Sequence, residues 1–155
     1  MNGLIGVISD THGMLREEVI EKLRPCALII HAGDIGDQSV LDELRKISKV
    51  VAVRGNVDTE PWSSALKKDE CVSFNGKHIY VIHNIDRLDI DPKAAGLDAV
   101  ICGHSHKPSI EYKDTVLYLN PGSAGPKRFE LPVSMAYLRL ANGTLTPEIV
   151  VEFGE

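Results

Sequence analysis

The chain has 155 residues, a length that fits one domain and excludes a second large one. Hydrophobic residues make up 43% and charged residues 25% of the chain, so it can bury a core and is not a disordered tail. The formal net charge of −5 argues against a large nucleic-acid interface, which requires clustered basic charge. No apolar run approaches the roughly 20 residues that span a bilayer, and three cysteines without C-x-x-C spacing fit a reducing compartment. We expect a cytoplasmic protein with neither a leader nor a membrane segment.

The first half of the chain alternates short β-branched runs with segments of helical periodicity, the pattern of βαβ units. Strands are predicted at residues 4–9, 27–32 and 50–54. Apolar residues of segment 15–23 fall on one face of a helix that Pro25 ends. Ser39 and Asp42 form a predicted capping box for the helix between the second and third strands.

The second half has the signals of hairpins instead of crossovers. Turns are predicted at Asn75-Gly76, Lys113-Asp114 and Asn142-Gly143, with a further buried strand at 98–102. These elements predict an α/β fold in which two sheets pack as a sandwich with helices outside. We expect the first sheet to be mainly parallel and the second mainly antiparallel.

Each predicted strand is followed by a small cluster of metal-capable residues and glycines. The clusters are Ser9 to Gly13, His31 to Asp34, Arg54 to Asp58, His83 with Asn84, and Gly103 to His106. Ligands of open α/β sheets bind at the carboxyl ends of strands, because the loops converge there. Five such ends are therefore predicted to share one crevice.

The spacing within two clusters favours chelation. Residues i and i+2 of an extended segment point the same way, so Asp10 with His12, and His104 with His106, are each predicted to face one pocket. The combined oxygen and nitrogen donors, with no thiolate, suit Mn²⁺, Fe²⁺, Ni²⁺ or Zn²⁺ better than Ca²⁺ or a structural cysteine-rich zinc site.

Three glycines each precede a candidate ligand: Gly33, Gly55 and Gly103. A residue without Cβ permits a positive φ and lets the backbone approach an ion closely. We expect both properties at these positions.

The ordered motifs D-x-H, G-D, G-N, H and G-H-x-H resemble those of the calcineurin-like metallophosphoesterase superfamily. The match runs from Asp10 to His106, and Asn120-Pro121-Gly122-Ser123 with Pro126 and Arg128 resembles the small YfcE/YsnB-like phosphodiesterase branch. The resemblance implies a single metallophosphoesterase domain over 1–155. Its fold would be two mixed β-sheets packed as an αββα sandwich, flanked by helices, with a dinuclear metal centre at one end.

The family's ligand positions carry over to seven residues. One metal would be held by Asp10, His12, Asp34 and His106. The other would be held by Asp34, Asn56, His83 and His104, with Asp34 as the bridging carboxylate. The resemblance implies two divalent ions, Mn²⁺ first and Ni²⁺, Fe²⁺ or Zn²⁺ as alternatives. The activity that it implies is hydrolysis of a small phosphodiester by in-line attack of a metal-bridging hydroxide. Asp34, Asn56 and His104 would have catalytic roles.

Other residues are assigned supporting roles. Arg128, or alternatively Arg54, would contact the second ester group of the substrate. His31 and Asp58 are expected to hold and orient the ligands without binding metal. No large nucleic-acid partner or membrane is expected, and a homodimer fits the hairpin edges and the family.

Two departures from the family pattern stand out. Many members carry a histidine that protonates the leaving group directly after the G-N asparagine, where this chain has Val57. The H-G-H motif is replaced by His83-Asn84-Ile85, and Asn84 is expected to take the left-handed conformation of the missing glycine.

Two alternative functions remain open. The chain could be a phosphomonoesterase or protein phosphatase, or it could be a non-catalytic scaffold that resembles the retromer sorting subunit.

Overall fold

A computed structural model describes residues 3–127, 130–151 and 153. Two five-stranded sheets pack face to face, which confirms the predicted fold of two mixed sheets with flanking helices. The strands are β1 (Gly3–Ile8), β2 (Leu28–His31), β3 (Lys49–Ala52), β4 (Asp69–Phe74), β5 (Lys77–Ile82), β6 (Ala99–Ile101), β7 (Ser109–Lys113), β8 (Val116–Asn120), β9 (Met135–Ala141) and β10 (Thr144–Val150). The helices are α1 (Glu17–Leu23) and α2 (Gln38–Arg45), with 3₁₀ turns at Pro61–Ala65 and Ile85–Arg87.

The first sheet has the strand order β10-β9-β1-β2-β3, and its β1, β2 and β3 are parallel as predicted. The second sheet has the order β4-β5-β6-β8-β7. Its central strands β5, β6 and β8 are parallel, with an antiparallel strand at each edge. The second sheet is therefore mixed: the expected antiparallel pairing holds at its two edges, whereas β8 runs parallel to β6 because the β7–β8 hairpin places β7 outermost.

Apolar side chains fill the space between the sheets and the outer face of the first sheet. Ile5, Ile30, Ile79 and Ile101 belong to the cluster between the sheets. Helices α1 and α2 pack on the other face of the first sheet, in a second cluster that buries their apolar stripes. The outer face of the second sheet is covered by residues of the segment that follows β5, including Leu97.

Some local predictions need correction. Helix α2 is capped by Asp37, whose side chain accepts the Ser39 N–H at 3.1 Å, and the predicted capping box at Ser39 was wrong. The β7–β8 turn uses Asp114 and Thr115, both with positive φ, one residue later than predicted. Within the described residues, no helix is long and apolar enough to cross a membrane.

Candidate metal centre

The predicted ligands follow strands whose carboxyl ends meet at one end of the sandwich. Asp10 and His12 follow β1, Asp34 follows β2, Asn56 follows β3, His83 follows β5, and His104 and His106 follow β6. Parallel strands present their loops at the same edge of each sheet, and the packing of the sheets brings the two edges together.

The first group of donor atoms surrounds one oxygen of Asp10. The Nε2 atoms of His106 and His12 lie 3.4 Å and 3.8 Å from Asp10 Oδ1. The two imidazole nitrogens are 3.4 Å from each other, and their rings are stacked. These three side chains could hold one metal ion.

The second group contains Asp10, Asp34 and His83. His83 Nε2 lies 3.2 Å from Asp34 Oδ2 and 3.9 Å from Asp10 Oδ1. Asp34 Oδ2 also lies 3.9 Å from His12 Nε2, so both carboxylates stand between the two groups. Adjoining groups of this kind are consistent with a dinuclear site.

Asn56 and His104 border these groups at the exposed rim. Asn56 Nδ2 lies 3.3 Å from His104 Nδ1, and the His104 ring packs edge-on against His83 at 5.3 Å. The structure therefore brings all seven predicted ligands to one end of the sandwich, with five of them in the two compact groups.

Backbone and hydroxyl donors orient the two carboxylates. Asp10 Oδ2 accepts the Ser9 hydroxyl at 2.7 Å and the His104 N–H at 3.1 Å, which leaves Oδ1 facing the imidazoles. Asp34 Oδ1 accepts the Val57 N–H at 3.0 Å, which leaves Oδ2 facing His83. Each carboxylate thus directs one oxygen into the site and anchors the other.

These donors fit a cation. Asp10 Oδ1 is buried and has no hydrogen-bond partner among the described residues. His83 donates from Nδ1 to the Ala32 carbonyl at 2.7 Å, which puts the lone pair of its neutral ring on Nε2. That lone pair faces two carboxylate oxygens, so a proton or a metal ion must lie between them.

The pKa shifts report the same electrostatics. Burial raises the pKa of Asp10. Burial would also raise the pKa of Asp34, but hydrogen bonds from His83 and the Val57 N–H outweigh it and lower that pKa below its usual range. Burial would lower the pKa of His83, yet its bond to Asp34 and the charge of Asp10 raise it. The carboxylates therefore attract positive charge at the position of His83 Nε2, and a metal ion would displace the proton there.

The ligand loops are not extended, contrary to the reasoning from i, i+2 spacing. Five ligand residues have left-handed backbones, with φ between 49° and 74°: Asp10, His12, Asp34, His104 and His106. His104 and His106 occupy different parts of the site, since His106 contacts Asp10 while His104 contacts Asn56 at the rim. Non-glycine residues in this conformation are uncommon and cluster at functional sites.

The glycines before the ligands act mainly through the space they leave. Gly33 has a φ of 105°, as expected, but no positive φ occurs at Gly55 or Gly103. A Cβ on Gly55 would lie 2.2 Å from Asp34 Oδ1, and one on Gly103 would lie 2.9 Å from Asp10 Oδ2. These two positions let neighbouring loops approach the carboxylates.

His31 is placed behind the site, away from the metal-facing atoms. Burial lowers its pKa to about 3, so the ring is neutral. The Gly33 N–H donates to His31 Nδ1 at 3.1 Å, so His31 Nε2 carries the proton and donates to Thr11 Oγ1 at 2.9 Å. Thr11 in turn donates to the Ile35 carbonyl at 2.8 Å, which joins the loop after β1 to the loop after β2.

Asp58 joins the loops after β2 and β3, as His31 and Thr11 join the loops after β1 and β2. Its carboxylate accepts N–H groups from Gly55 at 2.9 Å, Gly36 at 3.0 Å and Ile35 at 3.1 Å. It therefore connects the loop of Asp34 to that of Asn56 without facing the metal groups.

Three further residues complete the comparison with the sequence. Asn84 has a φ of −111° and is not left-handed as expected, because its side chain caps the 3₁₀ turn that follows. Arg54 lies beside Asn56 in a cavity next to the site, and Arg128 lies outside the described residues. Ser9 and Thr11 directly precede predicted ligands and support them by hydrogen bonds, a role that was not predicted.

The two-sheet sandwich and its paired Asp and His groups define a metal-binding end at the carboxyl termini of the strands. The family model "Calcineurin-like phosphoesterase superfamily domain" matches residues 4–143. The chain belongs to the calcineurin-like phosphoesterase superfamily, as the motif resemblance implied.

Individual proteins show the same relationship. A probable metallophosphoesterase of Methanocaldococcus jannaschii is 41% identical over 133 residues, covering 77% of this chain and 67% of the relative. The phosphodiesterase YfcE of Escherichia coli is 26% identical, with 84% of each chain covered. The crystal structure of Vps29 from Chaetomium thermophilum shares the fold, with a TM-score of 0.78 at 19% identity and 96% of each chain covered.

Proposed function

We propose that this chain is a phosphodiesterase that uses two divalent metal ions, Mn²⁺ first among the candidates, to hydrolyse a small phosphodiester. The observation that carries the proposal is the pair of adjoining donor groups that share Asp10 at one end of the sandwich. The sequence relatives named phosphodiesterase support the same reaction class. The cytoplasmic location and the homodimer expected from the sequence stay predictions.

The chain offers donors for two ions. One would be held by Asp10, His12, Asp34 and His106, and the other by Asp34, Asn56, His83 and His104. The position of Asp34 Oδ2, within 3.9 Å of His12 and 3.2 Å of His83, supports its role as the bridging ligand. When bound, two divalent ions supply a hydroxide at neutral pH for in-line attack on phosphorus and neutralise charge on the phosphoryl oxygens.

The chain's own groups prepare that chemistry. Ser9 and the His104 N–H hold Asp10, while the Val57 N–H holds Asp34, so both carboxylates are oriented before a substrate arrives. His104 and Asn56 stand at the exposed rim, where a phosphate would enter. We assign them to contact the phosphoryl oxygens and stabilise the charge that develops there.

Position 57 limits the leaving groups that the site can release. Val57 is 46% exposed beside Asn56 and carries no proton donor. A phenolate departs without being protonated, whereas an alkoxide requires an acid. Aryl phosphodiesters should therefore react faster than alkyl phosphodiesters.

The test uses purified protein loaded with Mn²⁺ and two aryl substrates, bis(p-nitrophenyl) phosphate and p-nitrophenyl phosphate. We expect faster hydrolysis of the diester, and loss of both metal binding and hydrolysis in Asp34→Asn. A faster rate on the monoester would make the chain a phosphomonoesterase. Hydrolysis of neither would favour the scaffold alternative, although metal-capable residues fill all seven ligand positions.

A further inference from the structure

A cavity of about 220 Å³ lies beside the candidate metal centre, between the loops that follow β3 and β5. Two of the proposed metal ligands, Asn56 and His83, line it. Three other lining residues are cations: Arg54, Lys68 and Arg87. No carboxylate is among the described residues that line the cavity. The cavity therefore joins the metal site to a positively charged wall.

These three cations form no close ion pair among the described residues. Within the described part of the chain, no carboxylate oxygen lies within 4.0 Å of the side-chain nitrogens of Arg54, Lys68 or Arg87. The chain as a whole has a net charge of −5, so this wall opposes the overall charge. Unpaired cations in one cleft raise the local concentration of anions.

Hydrogen bonds in two loop segments place the cations together. The Arg54 N–H donates to the Lys67 carbonyl at 2.8 Å, which brings the end of the β3 segment against the residues before β4 and next to Lys68. Asn84 Oδ1 accepts the Asp86 N–H, and the Asn84 carbonyl accepts the Arg87 N–H, both at 3.0 Å. The same sequence change that removes the H-G-H motif therefore builds the turn that carries Arg87.

Charge and size favour a phosphate as the occupant. A phosphomonoester carries a charge of about −1.5 to −2 near neutral pH, whereas a carboxylate carries only one negative charge against three cations. One guanidinium group can donate two parallel hydrogen bonds to two oxygens of a phosphate, and a lysine ammonium binds phosphate as a point charge. A cavity of about 220 Å³ holds roughly seven waters at liquid density, which is enough room for a phosphate.

We propose that this cavity binds a terminal phosphate of the substrate, so that the substrate is a phosphodiester in which one ester group carries a second phosphate. The inference rests on the proposed function, because the scissile phosphate must lie on the adjoining metals. It assigns Lys68 and Arg87 to substrate selection, beside Arg54, which the sequence offered as the alternative to Arg128.

A matched pair of substrates tests the proposal in Mn²⁺-loaded protein at fixed ionic strength. The pair is thymidine 5′-(p-nitrophenyl phosphate) with and without a 3′-phosphate. We expect the added phosphate to raise kcat/KM by about tenfold, mainly through KM, as one net charge-assisted hydrogen bond would. The double variant Lys68→Gln/Arg87→Gln should reduce this preference below about twofold. The control Arg24→Gln/Lys46→Gln removes the same two charges at the C-terminal ends of α1 and α2 and should keep it.

Equal kcat/KM for the two wild-type substrates would overturn the proposal and leave the phosphodiesterase function standing. An equal gain from a 3′-methyl phosphate, a singly charged diester, would overturn the terminal-phosphate assignment and indicate an internal phosphate of a strand.

A binding readout separates the cavity from turnover. Calorimetry should show tighter binding of thymidine 3′,5′-bisphosphate than of thymidine 5′-monophosphate, with the difference lost in the double variant. Equal affinities would contradict the cavity assignment. Tighter binding of the bisphosphate, with no hydrolysis of either p-nitrophenyl ester, would support the cavity assignment and contradict the phosphodiesterase function.

Discussion

Asp58 offers a direct test of how the ligand loops are held together, through the substitution Asp58→Ala. The side chain is 2% exposed, and its carboxylate accepts three backbone N–H groups from the loops of Asp34 and Asn56. Hydrogen bonds to a charged group contribute roughly 1.5–3 kcal/mol each, and three sum to roughly 4.5–9 kcal/mol. Water can enter the vacated space and replace part of this, so we expect a loss just below that range, about 4 kcal/mol of unfolding free energy.

The measurements are denaturant unfolding of the metal-free protein and calorimetric titration with Mn²⁺. For a chain of this size the change corresponds to a fall in Tm of about 8–16 °C. We also expect Mn²⁺ affinity to fall by about 10–100-fold, as is typical when groups supporting metal ligands are removed. Asp42→Ala is the matched control, because that carboxylate is exposed and, among the described residues, accepts one side-chain hydrogen bond, from Gln38 at 3.0 Å. Unchanged stability and Mn²⁺ affinity in Asp58→Ala would refute the reasoning.

Three further substitutions probe separate parts of the account. Val57→His places a proton donor at an exposed position beside Asn56, so the turnover of alkyl diesters should rise relative to that of aryl diesters. An unchanged ratio of the two rates would show that a missing acid does not limit the reaction. Gly55→Ala places a Cβ 2.2 Å from Asp34 Oδ1, so the Mn²⁺ affinity measured by calorimetry should fall. Wild-type affinity would show that metal binding does not depend on the close approach of the Gly55 backbone to Asp34. His31→Gln should change how stability depends on pH. Burial lowers the pKa of His31 from 6.5 to about 3. Between these two pH values the imidazole is protonated in the unfolded chain but not in the folded one, so the free energy of unfolding decreases as the pH is lowered. This costs about 2 kcal/mol between pH 7 and pH 5, and denaturant unfolding of metal-free His31→Gln should show a pH dependence weaker by that amount; equal dependence would contradict a buried neutral imidazole.

The location of the site was predictable because it depends on strand direction. Short apolar runs followed by Asp, His and Gly identified the carboxyl ends of β1, β2, β3, β5 and β6. Parallel neighbours share an edge, so no knowledge of side-chain geometry was needed to bring these ends together. The order of motifs then identified the family.

The local geometry was not predictable, because loop backbones do not follow strand periodicity. His104 and His106 are two residues apart and both have left-handed backbones, yet His106 contacts Asp10 while His104 contacts Asn56. Asn84 caps a turn where the motif suggested a substitute for glycine. The wall formed by Arg54, Lys68 and Arg87 depends on contacts between loops far apart in sequence, and none of its residues forms a motif.

A titration of the metal-free protein with Mn²⁺ tests the central claim most directly. Electron paramagnetic resonance would be recorded at each step, together with the rate of bis(p-nitrophenyl) phosphate hydrolysis. We predict binding of two ions per chain, a spin-coupled spectrum as the second ion enters, and activity that rises with that second ion. One ion per chain with an uncoupled spectrum, or full activity after the first ion, would contradict a dinuclear phosphodiesterase centre.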